Sequence, residues 1–172
     1  MAGQGRGRGI TRRTVLGALG AAGVAAASGS ALTLGAATSA EAQTAPALGQ
    51  NEAVDAALQR VFGGRPMKDG SGTMKLDIPL IAENGAVVPV SVEVNAPMTP
   101  QSYVKHIYVV ADKNRIPIVT RAALTPASGL AYMGANIRLG ETTDVRAIAE
   151  QNDGTLYALK REVKVTVGGC GG

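Results

Sequence analysis

Leu159-Lys160-Arg161-Glu162-Val163-Lys164-Val165-Thr166-Val167 runs without a break into Gly168-Gly169-Cys170-Gly171-Gly172. In the first nine residues Leu159, Arg161, Val163, Val165 and Val167 alternate with Lys160, Glu162, Lys164 and Thr166. A period of two with β-branched residues on one side marks a half-buried strand, and the valines seat it on a core. The regularity stops at Gly168. Gly168, Gly169, Gly171 and Gly172 have no side chains to bury and lose more freedom on ordering than any other residue, so the sequence predicts a rigid strand feeding a flexible arm, residues 168–172. From Val167 to Cys170 the arm extends about 10 Å, at about 3.3–3.6 Å per residue. With no flanking side chains it is slim enough to enter a narrow channel.

Upstream, the same period recurs. Met74, Leu76, Ile78 and Leu80 alternate with Lys75, Asp77 and Pro79; Val88, Val90, Val92 and Val94 alternate with Pro89, Ser91 and Glu93. Asn84-Gly85 between them is the strongest hairpin signal in the chain. The two prolines cannot donate to a ladder, which places them at edges or strand ends. A strand over Tyr103–Ala111 puts Ile107, Val109 and Ala111 on one face and Val104, His106, Tyr108 and Val110 on the other. Both faces are apolar, so this strand is central or covered by a partner. Further strands are expected at Ile116–Thr120, Ala131–Leu139 and Thr143–Ala149. Ahead of them Val54, Leu58, Val61 and Phe62 fall at helical spacing, with Asn51 as the expected N-cap and Gly63-Gly64 as the stop. About seven short strands separated by turns indicate an all-β fold: an antiparallel immunoglobulin-like β-sandwich with one N-terminal amphipathic helix, over residues 43–167.

Residues 1–42 read as an export signal. Arg12 and Arg13 stand beside Thr14 and ahead of an uncharged stretch, Thr14 to Ala40, rich in Ala and Gly. This resembles a twin-arginine signal, with Val15 where Phe is usual and Gly17 where Lys is frequent. Ala40-Glu41-Ala42 supplies a small-x-small cleavage pattern between Ala42 and Gln43. Four of the 17 Lys+Arg (Arg6, Arg8, Arg12, Arg13) and one of the 13 Asp+Glu (Glu41) lie in that segment, leaving 13 and 12, a net charge of +1. The basic character thus belongs to the signal, and no nucleic-acid footprint remains. The expected destination is the periplasm, an oxidising space where a free thiol is unusual.

The chain has one cysteine and one histidine. His106 falls inside a strand, where a hydrogen-bonded sheet histidine is the expected reading. No zinc ligand set or phosphate loop is present in the pattern, and no cofactor is expected. A free thiol has a pKa of about 8.5, and the arm offers neither a helix N-terminus nor a cation to lower it, so activation has to come from another protein. Three readings of Cys170 stay open at this level: a carrier thiol, an interchain disulfide in an exported structural domain, and an independent thiol enzyme.

An exported β-sandwich with a Gly-Gly-Cys-Gly-Gly tail resembles the SoxY family, the sulfur-carrier subunit of bacterial thiosulfate oxidation. The tail matches the family's motif at all five positions. The resemblance implies a non-catalytic carrier with Cys170 as the sulfur attachment point and the four glycines as its swinging arm. It also implies a heterodimer with a SoxZ-type β-sandwich subunit. A haem-containing enzyme would couple thiosulfate to the cysteine, a thiosulfohydrolase would release sulfate, and a sulfur dehydrogenase would act further. The two-sided strand Tyr103–Ala111 is the expected partner face.

Overall fold

In the computed structural model of the chain, which describes residues 47–166, Val88, Val90, Val92 and Val94 are each no more than 3% exposed, while Pro89 and Glu93 face solvent. The alternation therefore buries one face of a strand, each valine contributing about 1.5–3 kcal/mol of transfer free energy. The elements in order are α1 (Val54–Phe62), β1 (Met67–Asp69), β2 (Met74–Asp77), β3 (Ile81–Ala82), β4 (Val88–Val94), β5 (Val104–Ala111), β6 (Ile118–Ala123), a 3-10 turn at Pro126–Ser128, β7 (Ala131–Ile137), β8 (Thr143–Gln151) and β9 (Leu156–Val165). They form two sheets: β1-β9-β8-β5-β6, with β3 also on β9, and β2-β4-β7. The sheets pack face to face around the four valines, Ile107, Val109, Met133, Val145, Ala147 and Val163. The all-β sandwich expected from the sequence is the observed fold.

Pairing is antiparallel except at the outer edge of β9, where β1 and β3 run parallel to it. β3 also corrects the expected hairpin. The two alternating segments do pair antiparallel, as β2 and β4, but through the whole 78–87 connection and not through a two-residue turn at Asn84-Gly85, where Asn84 Oδ1 accepts from the Ala86 amide at 2.9 Å to make a local turn. Pro79 ends the alternation, and the next two residues cross to the other sheet. Leu80, expected on the buried face, is 63% exposed. Pro89 sits in β4 beyond the last residue of β2, where the lost donor is harmless, as proline's limits require.

Helix α1 begins at Val54 with Ala53, not Asn51, at the N-cap, and no side chain caps it. Its lead-in is held instead by the Glu52 amide bonding Arg115 O at 3.2 Å and by the Arg60 guanidinium gripping both Glu52 oxygens. That grip holds the Glu52 carboxyl below its ordinary range. At the other end Gly63 takes φ 62° and returns its N–H to Gln59 O at 2.8 Å, the left-handed stop the glycine pair predicts. The helix lies on the outer face of the larger sheet, packing Ala57 and Phe62 on Tyr108, Val110, Ile118, Ile148 and Leu156. Phe62 meets the Tyr108 ring edge-on at 5.0 Å.

That packing corrects the expected partner face. β5 is central, with β8 on one side and β6 on the other, and both its faces are buried by the domain itself. It also carries a bulge: Val104 pairs with Gln151 and His106 with Glu150, so Lys105 is the extra residue. The shift turns Val104 onto the inter-sheet face with Ile107, opposite to the side a strict period of two assigns.

Candidate functional site

Every site residue that the sequence singles out lies outside the described residues: Cys170, Gly168, Gly169, Gly171, Gly172, and the signal positions Arg12, Arg13, Ala42 and Gln43. The described residues end four positions before the cysteine, at Thr166, on the strand that the sequence predicts to be the root of an arm.

That root is clasped from two sides. The β8 ladder on β9 ends at Thr143↔Val163. Beyond it the Val165 amide donates to Thr142 Oγ1 at 3.0 Å, so a side chain continues the work of the strand. On the opposite side Ile81 and Ala82 run parallel to Lys164 and Val165. The Lys164 amide donates to Leu80 O at 2.9 Å, the Thr166 amide to Ala82 O at 3.1 Å, and Thr166 Oγ1 to Glu83 O at 3.1 Å. The backbone donors of Lys164, Val165 and Thr166 are thus paired up to the last described residue. Thr142, Thr166, Leu80 and Glu83 were not legible as site residues. The one sequence signal was the break of alternation after Pro79, where Leu80 and Ile81 follow one another.

A second polar cluster lies between α1 and the sheet. Glu150 accepts from His106 Nδ1 at 3.0 Å and from the Tyr108 hydroxyl at 3.3 Å, while Arg65 Nη2 donates to its other oxygen at 2.9 Å. Arg65 also bonds Phe62 O at 3.0 Å and Gly154 O at 3.1 Å, tying the end of α1 to the turn between β8 and β9. Burial opposes ionisation of Glu150, yet the His106 and Arg65 hydrogen bonds outweigh it and hold the carboxyl below its ordinary value. Burial, with the Glu150 charge beside it, pushes the Tyr108 phenol up to about 12. His106 and Glu150 are each 12% exposed and fully engaged with one another. The cluster is a strap holding the helix, as expected of a satisfied sheet histidine, and presents no free nucleophile.

An open trough of about 430 Å³ lies on the outer face of the β2-β4-β7 sheet, between Asp77, Pro79, Pro89, Tyr132 and Asn136. Tyr132 lies across Gly134, where an added Cβ would stand 3.0 Å from its hydroxyl. Among the described residues no group of three or more His, Cys, Asp or Glu converges as metal ligands would.

The architecture defines a two-sheet β-sandwich with a helix on one face, in which the last strand is clasped to its end and the sequence continues from it into a glycine-flanked cysteine. The sequence matches the family model described as sulfur oxidation protein SoxY over residues 58–170, and the chain belongs to the SoxY family. Among solved structures it is similar to the sulfur carrier protein SoxY from Chlorobium limicola f. thiosulfatophilum, at 29% identity over 66% of this chain and 96% of that one, with a TM-score of 0.55. It is also similar to a superoxide reductase (neelaredoxin) from Ignicoccus hospitalis, at 19% identity over 54% of this chain and 79% of that one, with a TM-score of 0.49. None of the curated proteins matches the sequence.

Proposed function

We propose that this protein carries sulfur intermediates of thiosulfate oxidation covalently on Cys170 and presents them to partner enzymes in the periplasm. The observation that carries the reading is the family match, which extends to residue 170 itself, together with a root clasped up to Thr166. A fixed strand end followed by glycines lets one thiol reach successive active sites. Tethering then replaces repeated diffusion with a high effective concentration.

The chemistry needs little from the body. Coupling forms an S–S bond between Cys170 Sγ and the outer sulfur of thiosulfate; the thiol proton leaves and two electrons pass to a haem-containing enzyme. Hydrolysis by a thiosulfohydrolase then adds water, releases sulfate and two protons, and leaves a persulfide on Cys170 for a sulfur dehydrogenase. The domain itself is non-catalytic in this scheme. Export through Arg12 and Arg13 with cleavage after Ala42, and a heterodimer with a SoxZ-type subunit, complete the proposal.

The test is intact-mass spectrometry of the mature protein after incubation with its partner subunit, thiosulfate and the haem enzyme. Wild-type protein should gain the mass of one bound thiosulfate, and Cys170→Ser none. A gain that persists in Cys170→Ser would overturn the reading. Gly169→Val should slow loading while leaving the melting temperature unchanged, since it thickens an arm that must enter a channel.

A further inference from the structure

β7 closes one side of the β2-β4-β7 sheet, and its 7 residues, Ala131–Ile137, carry neither a charge nor a proline. The other sheet margins among the described residues are blunted. β1 and β3 are 3 and 2 residues long, β2 carries Lys75 and Asp77, and β6 holds Arg121 and a register shift opposite Val109/Val110. Short, charged or bulged edges keep sheets from pairing with other chains, and β7 has none of these devices. The direction of its backbone groups follows from its neighbour. The Asn95 amide donates to Thr73 O at 2.8 Å, so Asn95, Glu93 and Ser91 turn their backbone towards β2 and the alternate residues Val94, Val92 and Val90 towards β7. Tyr132, Gly134 and Asn136, opposite Glu93, Ser91 and Pro89, therefore direct N–H and C=O to the open side. Leu130 at 55% and Tyr132 at 48% expose large apolar side chains at the same edge. We infer that β7 is a self-pairing edge, to which a second copy of this chain adds its own β7, antiparallel and centred on Gly134.

Self-complementarity decides the occupant. Pairing centred on Gly134 sets Tyr132 of one copy against Asn136 of the other, Met133 against Ala135 and Ala131 against Ile137. Each pair joins residues of the same face, so the inner row of Ala131, Met133, Ala135 and Ile137 continues the core lining across the junction. The outward groups of Tyr132, Gly134 and Asn136 meet in about six hydrogen bonds, two for each opposed pair. No like charges face one another, since the strand carries none. β6 fails the same test: paired on itself it brings two Arg121 guanidinium groups into one short ladder, and Ile118–Ala123 holds no carboxylate to offset them. A ladder of this length lies at or below the low end of the about 1,200–2,000 Å² that stable interfaces bury, so the association depends on concentration. The arm is left clear. β5 and β6 are the strands of the larger sheet that approach β7, and β9 stands three strands from β6, about 14–15 Å at about 4.7–4.9 Å per strand. The pairing is compatible with the carrier reading and does not rest on it.

The test uses the mature chain, kept reduced so that Cys170 cannot bridge copies, alone and with its partner subunit. Sedimentation equilibrium should show a monomer–dimer equilibrium. The amides of Tyr132, Gly134 and Asn136 should exchange more slowly as concentration rises, while those of Met133 and Ala135, already bonded to β4, keep their rates. Asn136→Pro removes one outward donor from each copy without touching the ladder to β4, and should raise the dissociation constant about tenfold with the monomer's melting temperature unchanged. Tyr132→Lys with Asn136→Lys sets like charges opposite one another across the junction and should abolish the dimer; Tyr132→Lys with Asn136→Asp sets opposite charges there and should restore it. A chain that stays monomeric up to about 1 mM overturns the inference, as does a dimer without the alternating protection or one that survives the two lysines. A dimer that gives way to an equimolar amount of the partner subunit also overturns it and assigns β7 to that subunit. None of these outcomes touches the loading of Cys170, on which the carrier reading is tested separately.

Discussion

The two ends of β9 are held by different forces. At Leu156–Ala158 the strand lies between β1 and β8, under α1 and over the sandwich core, with Leu156 only 1% exposed. At Lys164–Thr166 it is held by backbone bonds to Leu80, Ala82 and Glu83 and by the Thr142 hydroxyl, with apolar side chains left in water beside it. Burial supplies most of the stability of a domain, whereas a hydrogen bond contributes a net of only about 0.5–1.5 kcal/mol. The first end therefore anchors the strand. The second end aims it, and it does so with bonds that leave the surrounding surface free.

Breaking the anchored end should cost most. Phe62→Ala removes the ring that meets Tyr108 and empties the centre of the helix-sheet contact, so chemical unfolding should show a loss of about 3–5 kcal/mol. A smaller loss would mean that the helix is not what secures this face.

Glu150→Gln acts at the same end, through the strap from Arg65 to His106, and should cost about 1.5–3 kcal/mol at neutral pH, the range for hydrogen bonds to a charged group. The cost carries a pH signature. The folded-state pKa of Glu150 is depressed below the ordinary 4.5, so its contribution is fully present above that value and is lost as pH falls through the lower folded value. Melting curves of wild type and variant should stay apart from neutral pH down to about 4.5 and converge below it, towards the depressed folded value. A constant gap across the whole range would show that the carboxylate's charge is not what the strap uses.

The aiming end should respond least in global stability. Thr142→Val removes one bond to the Val165 amide, worth about 0.5–1.5 kcal/mol. Its sharper effect should be local: hydrogen exchange of the Val165 amide should speed up while amides at Leu156 and Tyr157 keep their protection. Equal acceleration at both ends would erase the distinction between anchor and aim.

The anchored half of the molecule was largely legible. The valines of β4 and the alternation of β9 are long enough for a period of two to show, and His106 fell into place as a sheet residue because nothing near it in sequence suggested a site. The aiming half was not. β3 is two residues long, too short for any periodicity, and its parallel pairing with β9 depends on a crossing between sheets that no local pattern encodes. Asn84-Gly85 has the composition of a hairpin turn, yet the strand before it had already left for the other sheet. The bulge at Lys105 moves Val104 to the opposite face by a backbone adjustment, without any change in residue type. Covering of β5 by α1 is tertiary: the helix and the two-sided strand were both readable, and that each buries the other was not.

The account depends on Cys170 being open to any visitor while the body stays folded. Because the chain has one cysteine, its alkylation rate with iodoacetamide can be measured in buffer and again in denaturant without interference. After correction for the effect of denaturant on a small thiol, the two rates should agree within about twofold, as for a thiol with no structure around it. A thiol protected tenfold or more in the folded protein would contradict the account.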